Sequence, residues 1–137
     1  MNDSLSSGYS GKPLARKLGL KEGMNAIAIS APKEYKVWLG KDASIIKTGS
    51  NPPWDFVHIF INKLSDLENQ LAKLRTEIQA NGMIWVSYYK KSSGIKTEIS
   101  EDLIRDTCFP LGFVDVKVCA VSADWSGLKL VIRKKLR

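Results

Sequence analysis

Two serine and lysine pairs have a spacing that supports nucleophilic chemistry in some enzymes. Ser30 with Lys33 and Ser93 with Lys96 both match the pattern S-x-x-K. In serine–lysine enzymes this pattern opens a helix, which brings the ammonium group close to the hydroxyl. Neither match stands at such a helix start, and two matches in a chain of 137 residues indicate chance spacing. The sequence therefore predicts no catalytic residue from these pairs.

His58 is the only histidine of the chain. It shares one face of a predicted strand with Phe56 and Phe60, so we expect a packed imidazole that is hydrogen-bonded to a neighbour. The two cysteines, Cys108 and Cys119, stand in apolar contexts outside any C-x-x-C pair and are predicted to be reduced core residues. With one histidine and two separate thiols, the sequence predicts no metal site.

Apolar stretches alternate with helical patterns along the chain, which is typical of an α/β domain. "KPLARKLGL" and "KEYKVWL" are predicted as short helices, and Ser100 as the cap of a later one. The final pair of strands is joined by the short turn "SADW", which predicts an antiparallel hairpin. Strands are predicted over residues 24–30, 43–49, 55–61, 83–89, 113–121 and 126–134.

The longest predicted helix begins at Ser65, which forms a capping box with Glu68, and ends at Asn81-Gly82. Its apolar face is marked by a regular helical spacing of Leu67, Leu71, Leu74 and Ile78.

Right-handed crossovers make the earlier strands parallel and place the last strand antiparallel beside them. The predicted fold is three-layer and Rossmann-like, with a mostly parallel sheet of about five strands and a C-terminal antiparallel hairpin. Residues 1–10, rich in Ser, Gly and Asn, are predicted to be a flexible tail, and residues 11–137 a single domain.

The formal net charge is +7, and the densest basic stretch is the C-terminal "KLVIRKKLR". Such a charge predicts weak, sequence-independent binding to nucleic acid that fades with salt; the alternative is a solvated, charged strand edge and tail. No run is long and apolar enough for a membrane helix or a secretion signal, which predicts a soluble cytoplasmic protein without a membrane partner. The sequence leaves the protein partner and the oligomeric state open.

The chain resembles a bacterial family of small uncharacterised proteins that carry a domain of unknown function. The resemblance covers most of residues 9–137 and rests on "YSGKPLARKLGLKEGM", "DFVHIF", "GMIWVSYYKKSSG" and "VDVKVCAVSADWSGLKLVIRK". More remotely, the order of elements resembles the second half of class I methyltransferases that use S-adenosylmethionine. The first resemblance implies no chemistry, and the second implies a methyltransferase-like fold.

In those methyltransferases, a glycine-rich turn follows the first strand and an acidic residue near the end of the second strand binds ribose hydroxyls. Here Ala31 and Pro32 stand in the first turn, and Lys47 and Thr48 replace the acid. The sequence therefore predicts no cofactor. It favours a non-catalytic, methyltransferase-like binding or regulatory module, and the alternative is a small enzyme with an unusual or subunit-completed site, such as a divergent methyltransferase.

Any ligand site is expected outside the carboxyl ends of the parallel strands. Hydroxyl and ammonium groups without a carboxylate base predict an anion-binding site there. The candidate residues are Ser30, Lys33, Asn62, Ser87, Lys90, Lys91, Ser92, Ser93 and Gly94. A solvent-exposed basic loop is the alternative interpretation.

Overall fold

A computed structural model describes residues 13–137 of the chain. The predicted flexible tail, residues 1–10, lies outside the described residues, as does the predicted start of the domain at residue 11.

Five strands form one sheet in the order β1-β2-β3-β5-β4. The first three pair in parallel, and β5 runs antiparallel between β3 and β4. The predicted Rossmann-like sheet with its C-terminal antiparallel hairpin is confirmed. The strands are β1 Ala26–Ile29, β2 Trp54–Phe60, β3 Ile78–Tyr89, β4 Phe113–Ala120 and β5 Trp125–Ile132.

Helices cover both faces of this sheet and make three layers. Two short helices, α1 (Leu14–Leu18) and α2 (Tyr35–Leu39), pack on one face, where Phe56, Phe60 and Trp85 are buried beneath them. The other face is covered by α3 (Leu64–Glu77) and α4 (Glu101–Cys108). The middle strands are apolar on both faces because each face contributes to one of the two cores.

The predicted strand over residues 43–49 is wrong. Residues Gly40–Ile45 form a 3₁₀ helix, and the single parallel bridge between Ala26 and Ile46 is all that pairs with this side of β1. Ile45 is buried beside α1 and α2 from within that helical turn, so its burial needs no strand.

The predicted end of α3 is also wrong. The helix ends at Glu77, and Ile78 is already extended because it pairs with Trp54 of β2. Gly82 lies inside β3, where a Cβ atom would come within 2.7 Å of Ile78 Cγ1 and 3.0 Å of the Trp54 carbonyl oxygen. The glycine therefore permits a close approach of two strands and does not end the helix.

The predicted capping box of Ser65 and Glu68 is absent from the start of α3. Lys63 is the N-cap residue and its side chain makes no capping hydrogen bond. The amide of Leu64 instead donates to Glu98 Oε1 over 2.8 Å, so the cap comes from a segment that is distant in sequence. The predicted cap of α4 is confirmed, because Ser100 Oγ accepts from the amide of Leu103.

A chain of hydrogen bonds crosses the core beneath α2. The Tyr35 hydroxyl lies 2.8 Å from His58 Nδ1, and His58 Nε2 lies 2.7 Å from Ser87 Oγ. His58 and Ser87 are fully buried, and the imidazole stacks on Phe60 with ring centroids 4.4 Å apart. Burial lowers the pKa of His58 to about 3 and raises that of Tyr35. The predicted packed, hydrogen-bonded histidine is confirmed.

The distant cap of α3 predicts unequal effects of two alanine substitutions. Glu98→Ala should lower the free energy of unfolding by about 0.5–2 kcal/mol, because the Leu64 amide loses its acceptor. Ser65→Ala, at an exposed residue of the same helix, is the matched control and should change it by less than about 0.5 kcal/mol. Urea denaturation of the two variants measures this difference. A larger loss of unfolding free energy for Ser65→Ala than for Glu98→Ala would show that Ser65 caps the helix and would contradict the distant cap.

The buried imidazole predicts a loss of stability in acid. Between pH 6.5 and about 3, His58 binds a proton in the unfolded chain but not in the folded one. The free energy of unfolding should therefore fall with decreasing pH by up to roughly 1.4 kcal/mol per unit from this residue alone. The variant His58→Gln keeps hydrogen-bonding groups but does not titrate. Its proton uptake on unfolding in this pH range should be smaller than that of the wild-type protein by about one proton.

The single histidine makes a direct measurement unambiguous. Its imidazole NMR signals should show no titration between pH 5 and pH 8. A midpoint near 6.5 would contradict the buried, neutral state.

Candidate functional site

The turn after β1 lacks the open backbone of a nucleotide-binding loop. Ser30, the first residue of this turn, has a positive φ of 58°, and Ala31 and Pro32 are half-buried. The Tyr35 amide donates to the Pro32 carbonyl oxygen over 3.0 Å, which leads directly into α2. Lys33 is exposed on this turn.

Tyr35 then folds back over the carboxyl-terminal half of β2. Its ring packs edge-on against His58 and Phe60, with centroids 5.0 and 5.3 Å apart, and the side chain is only 3% exposed. Ser87, His58 and Tyr35 have the order of a nucleophile, a base and an orienting group. Because Ser87 and His58 have no exposed surface, this arrangement holds the core together and does not meet a substrate.

In the methyltransferases that this chain resembles, an acidic residue lies near the end of the second strand. At that position this chain has Lys47. Its amide donates to the Ala26 carbonyl oxygen and its Nζ donates to the Met24 carbonyl oxygen, each over 2.8 Å. The lysine is thereby tied to backbone beside the start of β1.

A cleft lies elsewhere, beside the carboxyl end of β3. It has a volume of about 760 Å³ and is bounded by the segment 90–99, the first turn of α4 and the start of β5. Its lining side chains carry hydroxyl, ammonium and carboxylate groups. They belong to Tyr88, Tyr89, Lys90, Lys91, Ile95, Lys96, Thr97, Glu98, Ile99, Ser100, Glu101, Asp102 and Ser126.

The carboxylates of the cleft are engaged by other parts of the protein. Glu98 caps α3, as described above. Glu101 and Asp102 both contact Arg105, whose guanidinium also donates to Asp115 over 2.8 Å. These hydrogen bonds, that to Asp115 first and then that to Glu101, raise the pKa of Arg105. Each of these carboxylates therefore has a hydrogen-bond donor, and Arg105 is shared by three of them.

Tyr88 links this network to the floor of the cleft. Its hydroxyl donates to Glu101 Oε2 over 3.4 Å. Burial of the ring raises the pKa of Tyr88, and a hydrogen bond with Ser126 opposes this shift. The phenol is therefore protonated at neutral pH and acts as a hydrogen-bond donor.

The ammonium groups lie on the loop that follows β3. Lys91 and Lys96 are exposed, while Lys90 is half-buried and its amide donates to the Asp124 carbonyl oxygen over 2.8 Å. Burial and the nearby charge of Lys17 lower the pKa of Lys90, against the opposing effect of Asp124. Within residues 13–137, Lys91 and Lys96 make no ion pair.

Only part of the predicted anion-binding set lines this cleft. Lys90 and Lys91 do so, whereas Ser30 and Lys33 remain in the turn after β1. The prediction for Ser87 is wrong. It was expected in the anion-binding set at the sheet edge, but it lies fully buried against His58.

The remaining predicted residues shape the loop. Ser93 Oγ donates to the Lys90 carbonyl oxygen over 2.7 Å and accepts from the Ile95 amide over 3.1 Å. Gly94, with φ of 74°, ends the 3₁₀ turn that contains Ser92, which is exposed. The Asn62 carbonyl oxygen accepts from the Glu98 amide over 3.1 Å and so anchors the far side of the loop.

Sequence reasoning missed the second wall of the cleft. Thr97, Glu98 and Ser100 line it directly after the "KKSSG" stretch. The predicted cap at Ser100 could have revealed this wall, because a helix that begins at Ser100 must face the end of β3. Glu98 gave no such signal, since its partner Leu64 is distant in sequence.

The part of the chain that the structure describes contains no helix that is long and apolar enough to cross a membrane. Within that part, no three histidine, cysteine or acidic side chains come close enough together to hold a metal ion.

Solved structures with a similar fold are methyltransferases. A Sulfolobus solfataricus protein assigned as a type 11 methyltransferase has a TM-score of 0.58 at 15% identity, over 90% of this chain and 93% of that one. Aeropyrum pernix fibrillarin, solved with natively bound S-adenosyl-L-methionine, has a TM-score of 0.54 at 13% identity, over 94% and 73%.

The mitomycin 7-O-methyltransferase MmcR has a TM-score of 0.61 at 9% identity, over 88% of this chain and 53% of that chain. At such identities the similarity establishes the fold alone. No curated protein matches the sequence.

A family model described as "Protein of unknown function (DUF3052)" matches residues 44–134. The match contains β2 to β5 with α3 and α4, and also every residue that lines the cleft. The chain therefore belongs to the DUF3052 family, whose function is unknown, and has a methyltransferase-like, Rossmann-type fold.

Proposed function

We propose that this protein is a non-catalytic, methyltransferase-like binding module that lacks the usual S-adenosylmethionine site and takes an anionic ligand in the cleft beside β3. The observation that carries the proposal is the burial of Tyr35 over the end of β2. In open α/β sheets, ligands bind outside the carboxyl ends of the strands. Here a packed phenol, 3% exposed, fills the space over one of those ends.

The turn after β1 supports the same conclusion. Pro32 has no amide hydrogen to donate to a phosphate or carboxylate. Ala31 carries a Cβ atom where close backbone approach favours glycine. Removing Tyr35 from its place would also leave His58 Nδ1 without its hydrogen-bond partner in the core, which is costly.

The chemistry of the cleft supports an anion as its ligand. Each lining carboxylate accepts a hydrogen bond from the protein, with Arg105 shared by Glu101 and Asp102, whereas Lys91 and Lys96 extend from the loop into solvent. An anion placed between them would gain charge-assisted hydrogen bonds without displacing an existing ion pair. The Tyr88 hydroxyl and the tyrosine rings add a floor that can contact a small organic anion.

The alternative is a small enzyme with an unusual or subunit-completed site, such as a divergent methyltransferase. A cytoplasmic location belongs to the proposal as well, and it is supported by the two free thiols of Cys108 and Cys119.

Because Tyr35 fills the space over the end of β2, we predict that S-adenosylmethionine and S-adenosylhomocysteine do not bind. A ligand present at about 100 times its Kd would stabilise the fold by roughly 2.7 kcal/mol, which thermal unfolding detects readily. We expect no shift of the melting temperature with either compound and no heat in calorimetry. Micromolar binding of either compound would support the enzyme alternative and contradict the proposal.

The cleft predicts a localised response to anions. Phosphate, pyrophosphate and a nucleoside triphosphate are titrated into ¹⁵N-labelled protein. At least one of them should cause saturable shifts in the amides of Lys91, Lys96 and Thr97, because these residues form one wall. Lys91→Gln/Lys96→Gln should abolish the response.

The matched control is Lys36→Gln/Lys41→Gln, which removes the same charge from exposed positions outside the cleft. It should leave the response intact. Amide shifts that are diffuse and do not saturate, or an equal loss of the response in both double variants, would contradict an anion site. The loop would then be an ordinary exposed basic surface.

A further inference from the structure

The C-terminal hairpin holds two lysines directly opposite each other. Lys117 of β4 is the register partner of Lys129 of β5. Like charges at opposed positions of a strand pair destabilise it. Burial lowers the pKa of Lys129, and the charge of Lys117 lowers it further. The hairpin thus retains a repulsion that a neutral residue at either position would relieve.

Two further lysines lie close to this pair. Lys117 Nζ donates to the Lys17 carbonyl oxygen over 3.4 Å, and Lys17 Nζ donates to the Ala120 carbonyl oxygen over 2.9 Å. Lys90 lies near Lys17, whose charge lowers its pKa after the effect of burial. We refer to Lys17, Lys90, Lys117 and Lys129 as the lysine face. Asp124 lies beside Lys90 and opposes the lowering of its pKa.

An aromatic pair lies on the same side of the sheet. Tyr89 and Trp125 are register partners, and their rings stack with centroids 4.0 Å apart and an interplanar angle of 29°. Both residues are half-buried. Trp125 and Lys129 are four residues apart on one strand, so their side chains point to the same face and lie roughly 13 Å from each other.

Within residues 13–137, the α-helices on this side are α1 and α2. Each has five residues, and the Leu18 carbonyl oxygen at the end of α1 accepts from Trp85 Nε1. On the other side, α4 packs on the hairpin through Ile104 and Cys108, beside Phe113 and Leu130.

We propose that the lysine face, together with the Tyr89–Trp125 stack, is a binding surface for single-stranded nucleic acid. The phosphates would lie along the lysines, and a base would stack on the aromatic pair. Repelling ammonium groups beside an aromatic surface suit a polyanion with planar groups, because its phosphates relieve the repulsion and its bases use the ring surface. Recognition of this kind is independent of sequence.

The basic C-terminus, which the sequence offered as the nucleic-acid contact, is partly committed to the fold. The Arg133 guanidinium lies 4.1 Å from the centroid of the Phe109 ring and donates to the Phe109 carbonyl oxygen. Arg137 Nε donates to the Ile132 carbonyl oxygen over 2.8 Å. The lysine face differs from the C-terminus in that Lys117 and Lys129 oppose each other there on the side of the sheet that carries an aromatic pair.

Fluorescence anisotropy with a labelled oligouridylate of about twelve nucleotides, matched to site sizes of single-strand binders, tests the proposal. Binding should be micromolar or weaker near physiological salt and stronger at low salt. Lys117→Gln/Lys129→Gln should reduce the slope of log affinity against log salt by about 1.4, the loss of two single-strand phosphate contacts. Trp125→Leu should weaken binding at least about fivefold at every salt concentration and leave the slope unchanged.

Lys134→Gln/Lys135→Gln is the control, since it removes the same charge from exposed positions of the C-terminal 3₁₀ turn. It should change the slope by less than half as much. Equal slopes for the two double variants, or no binding by the wild-type protein at low salt, would overturn the proposal. Melting temperatures at or above the wild-type value for Lys117→Gln/Lys129→Gln exclude unfolding as the cause of lost binding.

An oligothymidylate of the same length shows whether the 2′-hydroxyl contributes; stacking and phosphate contact alone predict similar affinities. A strict requirement for either RNA or DNA would overturn sequence-independent recognition of this kind. None of the substituted residues lines the cleft, whereas Tyr89 and Lys90 belong to both sites. The variants at Lys117, Lys129 and Trp125 therefore distinguish failure of this proposal from failure of the anion site.

Discussion

The hydrogen-bonded chain of Tyr35, His58 and Ser87 constrains the rest of the molecule. Its three groups come from α2, β2 and β3, and each of the two ring nitrogens of the imidazole has one hydroxyl partner. A buried polar group without a partner destabilises a core, so these side chains fix α2 against the sheet. Because α2 follows β1 after only a short turn, the same contacts determine how the chain leaves β1 and what fills the space over β2.

This constraint determines what covers the carboxyl end of β2. The sheet order and the antiparallel hairpin are those of a methyltransferase-like domain. The position that such a fold offers to a ligand is occupied by an aromatic core of Tyr35, His58 and Phe60. Open volume is found one strand further along, where the loop after β3 faces the first turn of α4. The scaffold is therefore preserved while a cleft of about 760 Å³ opens beside β3.

The sequence predicted those elements whose signals are local. The apolar face of α3 and the tight hairpin turn were read correctly because periodicity and turn length do not depend on distant residues. Ile78 fits the helical period, but pairing with Trp54 overrides it. Glu98 caps α3 from 34 positions away, which no local pattern reveals. Ser87 was misplaced because it was judged by its distance from the strand end, although strand alternation puts it on the face opposite Tyr88.

The charges of the hairpin follow from the same layering. On the side of α4, Asp115 accepts from Arg105, so a partly exposed salt-bridge network joins helix to strand. On the other side, Lys117 and Lys129 face each other beneath a helix of five residues, which is too short to bring acidic partners over both of them. The formal net charge is +7, so acidic residues are fewer than basic ones and cannot pair with all of the lysines. One strand pair thus carries a salt-bridged face that joins it to α4 and a cationic face whose repulsion a bound polyanion would relieve.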